Sequence, residues 1–404
     1  MSGMGDIKLS IRKKILFFLP FRGFDNILNF IFQRYSGQVT CCIFFCFTFL
    51  LTPFHLRSQV SDSVKVDSAA SAFKNSVLAY PILFYLPETR FGGGLACIYT
   101  FRFKGSDKKS NPSQIRFSAD ITQNKQFFVQ LPFELYTRNE LWKFKGEIDF
   151  FNYFYYHYGV GNNTLATNRE SYTVNFPRIR LDVLYQYKDL FAGIRYRLDA
   201  YGNLNYQQGG LIDTEGHPGK EGGTSISAGL LLQYDKRDYI YNPTKGYFLE
   251  TEYSLNNNAL GSKYHYQRLM LNMSYYYSVF PEHVLAFNTF ISHNSGAIPF
   301  FDMPYFGSGN QGRGFQDRRF MDKNMFVAQL EYRYPIYKRF SGVAFGSISE
   351  VGASLKQLLN ESLKPAAGLG IRYKLTKEER SLLRLDLGFT REGNALYITI
   401  NDAF

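Results

Sequence analysis

The sequence contains few of the residues that cross-link a small domain or bind a metal ion. Only 4 of its 404 residues are cysteine, and only 1 is tryptophan. Three of the cysteines, Cys41, Cys42 and Cys46, share one apolar run, which leaves Cys97 alone in the rest of the chain. A disulfide framework needs several paired cysteines, and a zinc site needs closely spaced Cys and His ligands. The sequence therefore predicts no disulfide and no bound metal.

Motifs of catalysis and of nucleic-acid recognition are also missing. Residues 307–312 satisfy G-x-G-x-x-G, but the helical pattern that a dinucleotide-binding loop requires does not follow them. The 6 histidines form no H-E-x-x-H pair, and no G-x-S-x-G elbow occurs. The net charge is +12, but the basic residues are spread along the chain and accompany no recognition motif. We predict no enzyme, no cofactor and no nucleic-acid partner; an enzyme whose site is assembled from distant strands is the least favoured hypothesis.

Long hydrophobic runs are limited to residues 41–51, CCIFFCFTFLL. This run follows several basic residues and is short for a membrane-spanning helix, so it suits the core of a signal peptide. We predict a presequence at 1–59, cleaved near Ser58 or Gln59, and a short periplasmic linker at 60–76. A retained inner-membrane anchor is the alternative.

Aromatic residues, in contrast, are abundant, and polar and apolar residues alternate from about residue 77 onward. Aromatic side chains make up 18% of the chain, yet the mean hydropathy is -0.24. In 178–185 one face holds Arg178, Arg180 and Asp182, and the other holds Ile179, Leu181 and Val183. A period of two indicates β-strands. A high content of aromatic residues without overall hydrophobicity is typical of a β-sheet that separates lipid from water. Charged positions expected to form a paired, water-facing wall include Arg195, Arg197, Asp199, Arg384 and Asp386.

These segments predict an all-β fold, a transmembrane antiparallel β-barrel over residues 77–404. A soluble sandwich of this length would also need long loops or a second layer of structure, and almost no helical periodicity is present to supply that layer. Closing the sheet removes its edges, and in a bilayer each unpaired backbone group costs roughly several kcal/mol. About fifteen strands are clear, and because bacterial barrels have an even number we predict sixteen, the hidden one in 77–86 or 150–161. The connection 205–223 is expected outside the cell, and 188–189 and 281–283 in the periplasm.

One stretch, residues 298–321, is too long and irregular for a hairpin turn, although it lies between two alternating segments. It reads IPFFDMPYFGSGNQGRGFQDRRFM, and it contains Gly312, Arg313, Gly314 and Phe315. Glycines allow close approach of the backbone, and an arginine can pair with a buried carboxylate. We therefore expect a long extracellular loop that folds into the lumen.

Four dispersed stretches carry a resemblance to a known family. They are 85–89, YLPET; 158–163, YGVGNN; 234–247, YDKRDYIYNPTKGY; and 312–315, GRGF. Together they resemble the bacterial surface-antigen family of outer-membrane proteins, the BamA/TamA-type barrels, over roughly residues 80–404. The resemblance implies a bacterial outer-membrane location.

The resemblance also implies a site around the loop. In that family the loop arginine contacts an acidic residue of a neighbouring strand, and Arg313 matches this arginine. The family's strand motif, Phe-x-Asp-x-Gly, is most similar to 348–352, ISEVG, which makes Glu350 the favoured partner. Glu331 faces the lumen by alternation and is the second candidate. Whether the loop only plugs the barrel or also gates it is left open.

The last strand resembles the terminal signal by which such barrels are themselves recognised for insertion. Its apolar positions are Ile398, Ile400 and Phe404, and Asp402 interrupts the series. This similarity implies that the aromatic terminus has a role in the insertion of the chain itself.

The family's function is assembly or translocation of outer-membrane proteins. The implied partners are outer-membrane lipid and lipopolysaccharide, separate periplasmic proteins and unfolded outer-membrane proteins. Assembly members carry periplasmic POTRA modules, for which 60–76 is too short, and no patatin-like lipase domain is expected. The alternative hypothesis is a passive pore or a structural surface antigen without a client.

Overall fold

The wall of the structure is one antiparallel sheet of sixteen strands in the described part of the chain, and these strands pair in chain order. The computed structural model describes residues 75–86, 89–106, 110–138, 140–240, 242–358, 362–374, 382–400 and 402–404. The predicted presequence, 1–59, and nearly all of the predicted linker, 60–76, lie outside these residues. The predicted all-β fold with a sixteen-stranded wall is confirmed.

The bounds of the strands show where the hidden strand lies. The strands are β1 (Ser76–Leu86), β2 (Arg90–Phe101), β3 (Ser113–Thr122), β4 (Phe127–Tyr136), β5 (Trp142–His157), β6 (Glu170–Tyr187), β7 (Leu190–Asn205), β8 (Gly223–Asp235), β9 (Gly246–Asn256), β10 (His265–Phe280), β11 (His283–Ala297), β12 (Tyr305–Phe306), β13 (Phe320–Met321), β14 (Asn324–Tyr337), β15 (Phe340–Gly352), β16 (Lys364–Lys374), β17 (Leu382–Thr390) and β18 (Gly393–Ile400). The hidden strand is β1, whereas residues 150–157 belong to the second half of β5. The pair β12–β13 forms a separate ribbon between β11 and β14.

Helices contribute little to the described residues. Two short ones, α1 (Leu211–Thr214) and α2 (Leu355–Leu358), lie in connections between strands. None of the helices in the described ranges has the length and apolar character needed to cross a membrane.

Alternation along each strand separates an outer face from an inner one. In the middle of β8, the side chain of Leu230 is 65% exposed, whereas its neighbour Leu231 is 0% exposed. Gln233 lies on the inner face with Leu231, and Leu232 on the outer face with Leu230. Successive side chains of a strand point to opposite faces, so one sequence repeat supplies both an apolar coat and a more polar lumen.

The two ends of the sheet meet without pairing. Cα atoms of β1 and β18 approach within 8 Å, but no ladder joins these strands in the described residues. All other neighbouring strands of the wall are joined by antiparallel ladders. We call the facing edges of β1 and β18 the seam.

The connection between β11 and β14, residues 298–323, turns back against the inner face of the wall, and we call it the lumen loop. It contains a 3-10 turn at Phe300–Asp302 and the β12–β13 ribbon. Its apolar residues pack on side chains of β6, β7, β10, β14 and β15. The predicted loop folded into the lumen is therefore confirmed.

A charged side chain on the outer face should lower the free energy of unfolding far more than the same side chain in a loop. We expect Leu230→Arg to destabilise the protein by about 2–4 kcal/mol, because this position lies near the middle of its strand on the lipid face. Reversible denaturant unfolding in lipid vesicles measures the change. Gln208→Arg, at an exposed position of the β7–β8 connection, is the control and should shift the free energy by less than about 0.5 kcal/mol. Equal effects of the two substitutions would contradict the assignment of the outer face.

Candidate functional site

The base of the lumen loop is held by stacked aromatic rings. The ring of Phe301 stacks on that of Tyr201 in β7, with centroids 3.8 Å apart. The ring of Phe300 meets Tyr172 of β6 edge to face at 5.4 Å. Offset and edge-to-face pairs stabilise a fold beyond the burial of their area. The aromatic residues near the start of the loop therefore anchor it to the wall.

The tip of the loop rests on strands next to the seam. Gly314 has a φ of 112°, which favours glycine. A Cβ atom on Gly314 would lie 2.9 Å from Cγ2 of Thr390, and one on Gly388 of β17 would lie 2.7 Å from Cα of Gly314. Two glycines are thus needed where the backbone of the loop passes over β17. Phe315 completes the motif by packing with Phe306 and Phe320 in a buried cluster.

Arg313 is enclosed between two carboxylates of the wall. Its Nη2 lies 2.5 Å from Oε1 of Glu331 in β14, and its Nη1 lies 2.7 Å from Oδ2 of Asp386 in β17. Its guanidinium also stacks on the ring of Phe345, 3.8 Å from the centroid. Arg313 is 1% exposed and both carboxylates are 0% exposed, so the pairs are screened from water. A planar guanidinium is well suited to join two carboxylates at once.

Three further charged side chains extend this cluster toward the end of the barrel where the C-terminus lies. Glu331 also pairs with Arg333, with 3.0 Å between Oε2 and Nε. Asp386 also pairs with Arg372 of β16. Asp402 lies between the two arginines, 2.9 Å from Nε of Arg372 and 3.2 Å from Nη1 of Arg333. Positive and negative groups therefore alternate from the loop to the C-terminal residues.

The preference for Glu350 as the partner of Arg313 needs correction. Glu350 is five positions from Phe345 in β15, and an odd separation puts the two side chains on opposite faces of a strand. Phe345 of β15 contacts Arg313, and it lies opposite Glu331 in the β14–β15 ladder. The carboxylate partners that the structure gives Arg313 are Glu331, the second candidate, and Asp386.

The two other arginines of the loop are held in different ways. The guanidinium of Arg318 lies between the rings of Tyr155 and Tyr305, 4.4 and 4.6 Å from their centroids. The neighbouring Asp317 carboxylate and burial raise the pKa of Tyr305 to about 12, so its ring stays neutral beside the cation. Arg319 pairs with Glu392 in the β17–β18 turn at 2.7 Å between Nε and Oε2. It also donates to the carbonyl of Thr164 in the β5–β6 connection.

The lumen loop also contacts β18, one side of the seam. The hydroxyl of Tyr397 accepts a hydrogen bond from the Gly314 N–H at 3.1 Å and donates one to the Phe315 carbonyl at 2.8 Å. Arg384 of β17 donates from Nη2 to the carbonyl of Gly309 at 3.0 Å. The sequence predictions did not include Tyr397, although alternation with Leu396 and Ile398 on the opposite face would have placed it in the lumen.

Two of the other stretches that carry the family resemblance also contact parts of this site. In 158–163, the Tyr158 hydroxyl donates to Gln316 of the loop, and the Gly161 N–H donates to Met321 at 2.8 Å. In 234–247, the carbonyl of Pro243 accepts a hydrogen bond from Arg333 at 3.3 Å. Residues 87 and 88 of the first stretch lie outside the described residues.

The C-terminal residues leave the wall. Ile398 lies on the outer face, and β18 ends at Ile400. Phe404 is turned into the lumen against Tyr276, Val284 and Ala286. The ion pairs of Asp402 with Arg333 and Arg372 hold the tail inward at the residue that interrupts the apolar series, and the role of the aromatic terminus in insertion stays a prediction.

Removing the loop arginine should release the loop without unfolding the wall. We expect Arg313→Ala to raise the rate of tryptic cleavage at the buried Arg318 and Arg319 at least tenfold, because breaking a buried pair costs about 3 kcal/mol or more. Arg313→Lys should give an intermediate rate, since an ammonium does not match two carboxylates as a guanidinium does. Arg391→Ala, at an exposed turn position, is the control. A tryptic cleavage rate of Arg313→Ala equal to that of the wild type would contradict this role of the ion pairs.

Comparisons with known proteins agree with this architecture. Residues 105–394 match the Omp85 superfamily domain. The fold is similar to that of BamA from Haemophilus ducreyi lacking POTRA domains 1-3, with a TM-score of 0.53 and 13% identity over 81% of this chain and 70% of that chain. A search of curated proteins by sequence finds no match.

Two CdiB structures show the same fold. CdiB from Acinetobacter baumannii has a TM-score of 0.51 and 11% identity, and the match covers 81% of this chain and 59% of that one. CdiB from Escherichia coli has a TM-score of 0.52 and 10% identity, with coverage of 82% and 62%. The chain therefore spans less than two thirds of either CdiB chain. Since the domain match covers most of the 404 residues and the barrel is shared with BamA and CdiB, this chain belongs to the Omp85 superfamily and is a bacterial outer-membrane protein.

Proposed function

We propose that the protein takes part in the assembly or translocation of outer-membrane proteins, and that a client strand engages it at the seam. The observation that carries this proposal is that β1 and β18 approach within 8 Å while no ladder joins them in the described residues. An unpaired strand edge presents backbone N–H and C=O groups to which another strand can add. Inside a bilayer these groups have no water to pair with, so a client strand would satisfy them.

The lumen loop is the element that controls β18 in this proposal. Its tip is bonded to Tyr397 of β18, and Arg319 is paired with Glu392 in the turn that leads into β18. Displacement of the loop would remove both constraints and free the strand to move away from β1. The partners that fit are unfolded outer-membrane proteins as clients, separate periplasmic proteins that deliver them, and the lipid and lipopolysaccharide around the outer face. No chemical step is part of this function.

A passive pore is the second candidate, and the charges of the lumen favour it. Arg195 of β7 pairs with Asp182 and with Glu252 at 2.7 Å in each case, and Arg178 pairs with Asp199 at 2.6 Å. Polar and charged side chains of this kind are typical of the interior of an outer-membrane barrel. Steady conductance in planar bilayers, together with an unchanged outer-membrane proteome in a deletion strain, would favour the pore over assembly.

The assembly function is tested by locking the seam. We expect deletion of the gene to lower the abundance of particular outer-membrane proteins, and wild-type protein to restore them. Cysteine pairs placed across β1 and β18, in a Cys97→Ser background, should abolish restoration when oxidised and recover it on reduction. The control is Leu385→Cys with Ile398→Cys, which cross-links a position already paired in the β17–β18 ladder. Restoration of the proteome by the protein with an oxidised, cross-linked seam would contradict the proposal.

Weakening the bond between loop and strand should loosen β18 alone. Tyr397→Phe removes two hydrogen bonds of about 0.5–1.5 kcal/mol each. The two bonds together contribute about 1–3 kcal/mol, so we expect backbone amide exchange in β18 to accelerate about 5- to 160-fold, whereas exchange in β9 should not change. Tyr253→Phe, which removes a hydroxyl on the exposed outer face, is the control. Exchange rates in β18 that match those of the wild type would contradict the proposed control by the loop.

A further inference from the structure

A groove lies on the outer face of the wall, where β10, β11 and β14 run side by side. It has a volume of about 410 Å³ and is lined by Tyr275, Tyr277, Leu285, Phe287 and Leu330. Pockets that bind small molecules and cofactors have volumes of about 300–1,000 Å³. The groove is therefore large enough to hold part of a lipid molecule.

The register of the strands explains why the outer face is concave here. Tyr277 of β10 lies opposite Leu285 of β11, and Leu285 in turn lies opposite Tyr332 of β14. Neighbouring strands are about 4.8 Å apart, so a short leucine side chain between two tyrosine rings leaves a depression. Tyr277 is 55% exposed, whereas Leu285 is half-buried. Aromatic girdles are common at the edges of the apolar band of a barrel, but a girdle by itself does not create such a depression.

A polar pair lies at the end of the groove that is nearer the β10–β11 turn. Nδ1 of His283, the first residue of β11, lies 2.7 Å from the hydroxyl of Tyr332. If the hydroxyl donates to Nδ1, the imidazole keeps its proton on Nε2; if Nδ1 donates, the hydroxyl keeps its own proton. Either arrangement leaves one donor of the pair for a further acceptor. The exposed Glu282, which precedes His283 in the turn, supplies a carboxylate beside this donor.

The position and the chemistry of the groove select one class of lipid. The turn at 281–283 is expected in the periplasm, so this part of the outer face meets the periplasmic leaflet of the outer membrane, which consists of phospholipid. The apolar lining matches an acyl chain. The donor of the His283–Tyr332 pair matches a phosphate, and the carboxylate of Glu282 matches an ammonium group. A zwitterionic phospholipid with a primary amine combines these three features.

We propose that the groove is a binding site for one phospholipid whose headgroup carries a phosphate and a primary ammonium. An acyl chain lies along the groove, the phosphate accepts a hydrogen bond from the His283–Tyr332 pair, and the ammonium pairs with Glu282. The depression and the polar groups at its end distinguish this site from the lipid around the rest of the barrel. The site lies on β10, β11 and β14, whereas the seam lies between β1 and β18, so the inference depends on neither assembly nor a pore.

The experiment compares the lipid beside two tryptophans by fluorescence quenching. Trp142, the single tryptophan of the sequence, is 43% exposed at the start of β5 and reports on lipid away from the groove. Trp142→Phe with Phe287→Trp places the single reporter in the groove. Each protein is reconstituted in vesicles of brominated phosphatidylglycerol, which quenches tryptophan, and phosphatidylethanolamine is added as the competitor. The recovery of fluorescence gives the binding constant of phosphatidylethanolamine relative to phosphatidylglycerol at each reporter.

We expect phosphatidylethanolamine to bind about fivefold or more tightly than phosphatidylglycerol in the groove, because only its ammonium can form a charge-assisted hydrogen bond with Glu282. Beside Trp142 the two lipids should bind about equally. Thr289→Trp in the Trp142→Phe background, at the next outward position of β11, is a second groove reporter that leaves Phe287 in place. Heat-dependent electrophoretic mobility reports the folding of each variant. Equal relative binding constants at Trp142 and at both groove reporters would overturn the inference.

Matched variants test the two parts of the site with the groove reporter. Leu285→Phe fills the depression and should remove the preference for phosphatidylethanolamine, whereas Leu369→Phe, which adds the same ring at an exposed outer position of β16, should keep it. Glu282→Gln should also remove the preference, whereas Asp189→Asn, which removes a carboxylate from the β6–β7 turn, should keep it. A preference that persists in both Leu285→Phe and Glu282→Gln would show that the groove does not select the lipid.

Discussion

The guanidinium of Arg313 is the group on which the interior of this barrel depends. It lies 2.5 Å from Glu331 and 2.7 Å from Asp386, with all three side chains at most 1% exposed. A buried charge without a partner is strongly destabilising. The loop and the wall therefore stabilise each other only when both contribute their charges to the cluster. This mutual dependence is why a connection of more than twenty residues can lie inside the lumen in one conformation.

The same cluster links three parts of the molecule that are distant in sequence. The loop supplies Arg313, the wall supplies Glu331 and Asp386, and the C-terminal tail supplies Asp402 through Arg333 and Arg372. The loop and the tail both act on β18, the loop through Tyr397 and the tail through direct continuity of the chain. Because this strand has no ladder to β1 in the described residues, these interior contacts add to the β17–β18 ladder in holding it in place.

Much of the fold was predictable because the cause is local. Alternation in a strand places Leu230 outward and Leu231 inward whatever the strand pairs with, so a barrel with one apolar face follows from reading the chain. Alternation also identified Glu331 as a lumen residue. The choice of Glu350 followed the family's strand motif. In this chain Glu350 and Phe345, which contacts Arg313, lie on opposite faces of β15. A shift of one residue along a strand moves a side chain to the other face. Asp386 was recognisable as a lumen charge, but nothing in its spacing connected it to a loop more than sixty residues away.

The sequence by itself determined a lipid-facing wall and a long glycine-rich loop, because period-two alternation and glycine content act over a few neighbouring residues. Alternation identified about fifteen strands, and the even number of strands in bacterial barrels added the sixteenth. Only the tertiary structure decided which carboxylates hold Arg313, that Tyr397 bonds the loop to the last strand, and that Phe404 turns inward. These contacts join residues that curling of the sheet brings together across the lumen. The curling of the sheet depends on the pairing of all strands at once, so it cannot be predicted from any single stretch of sequence.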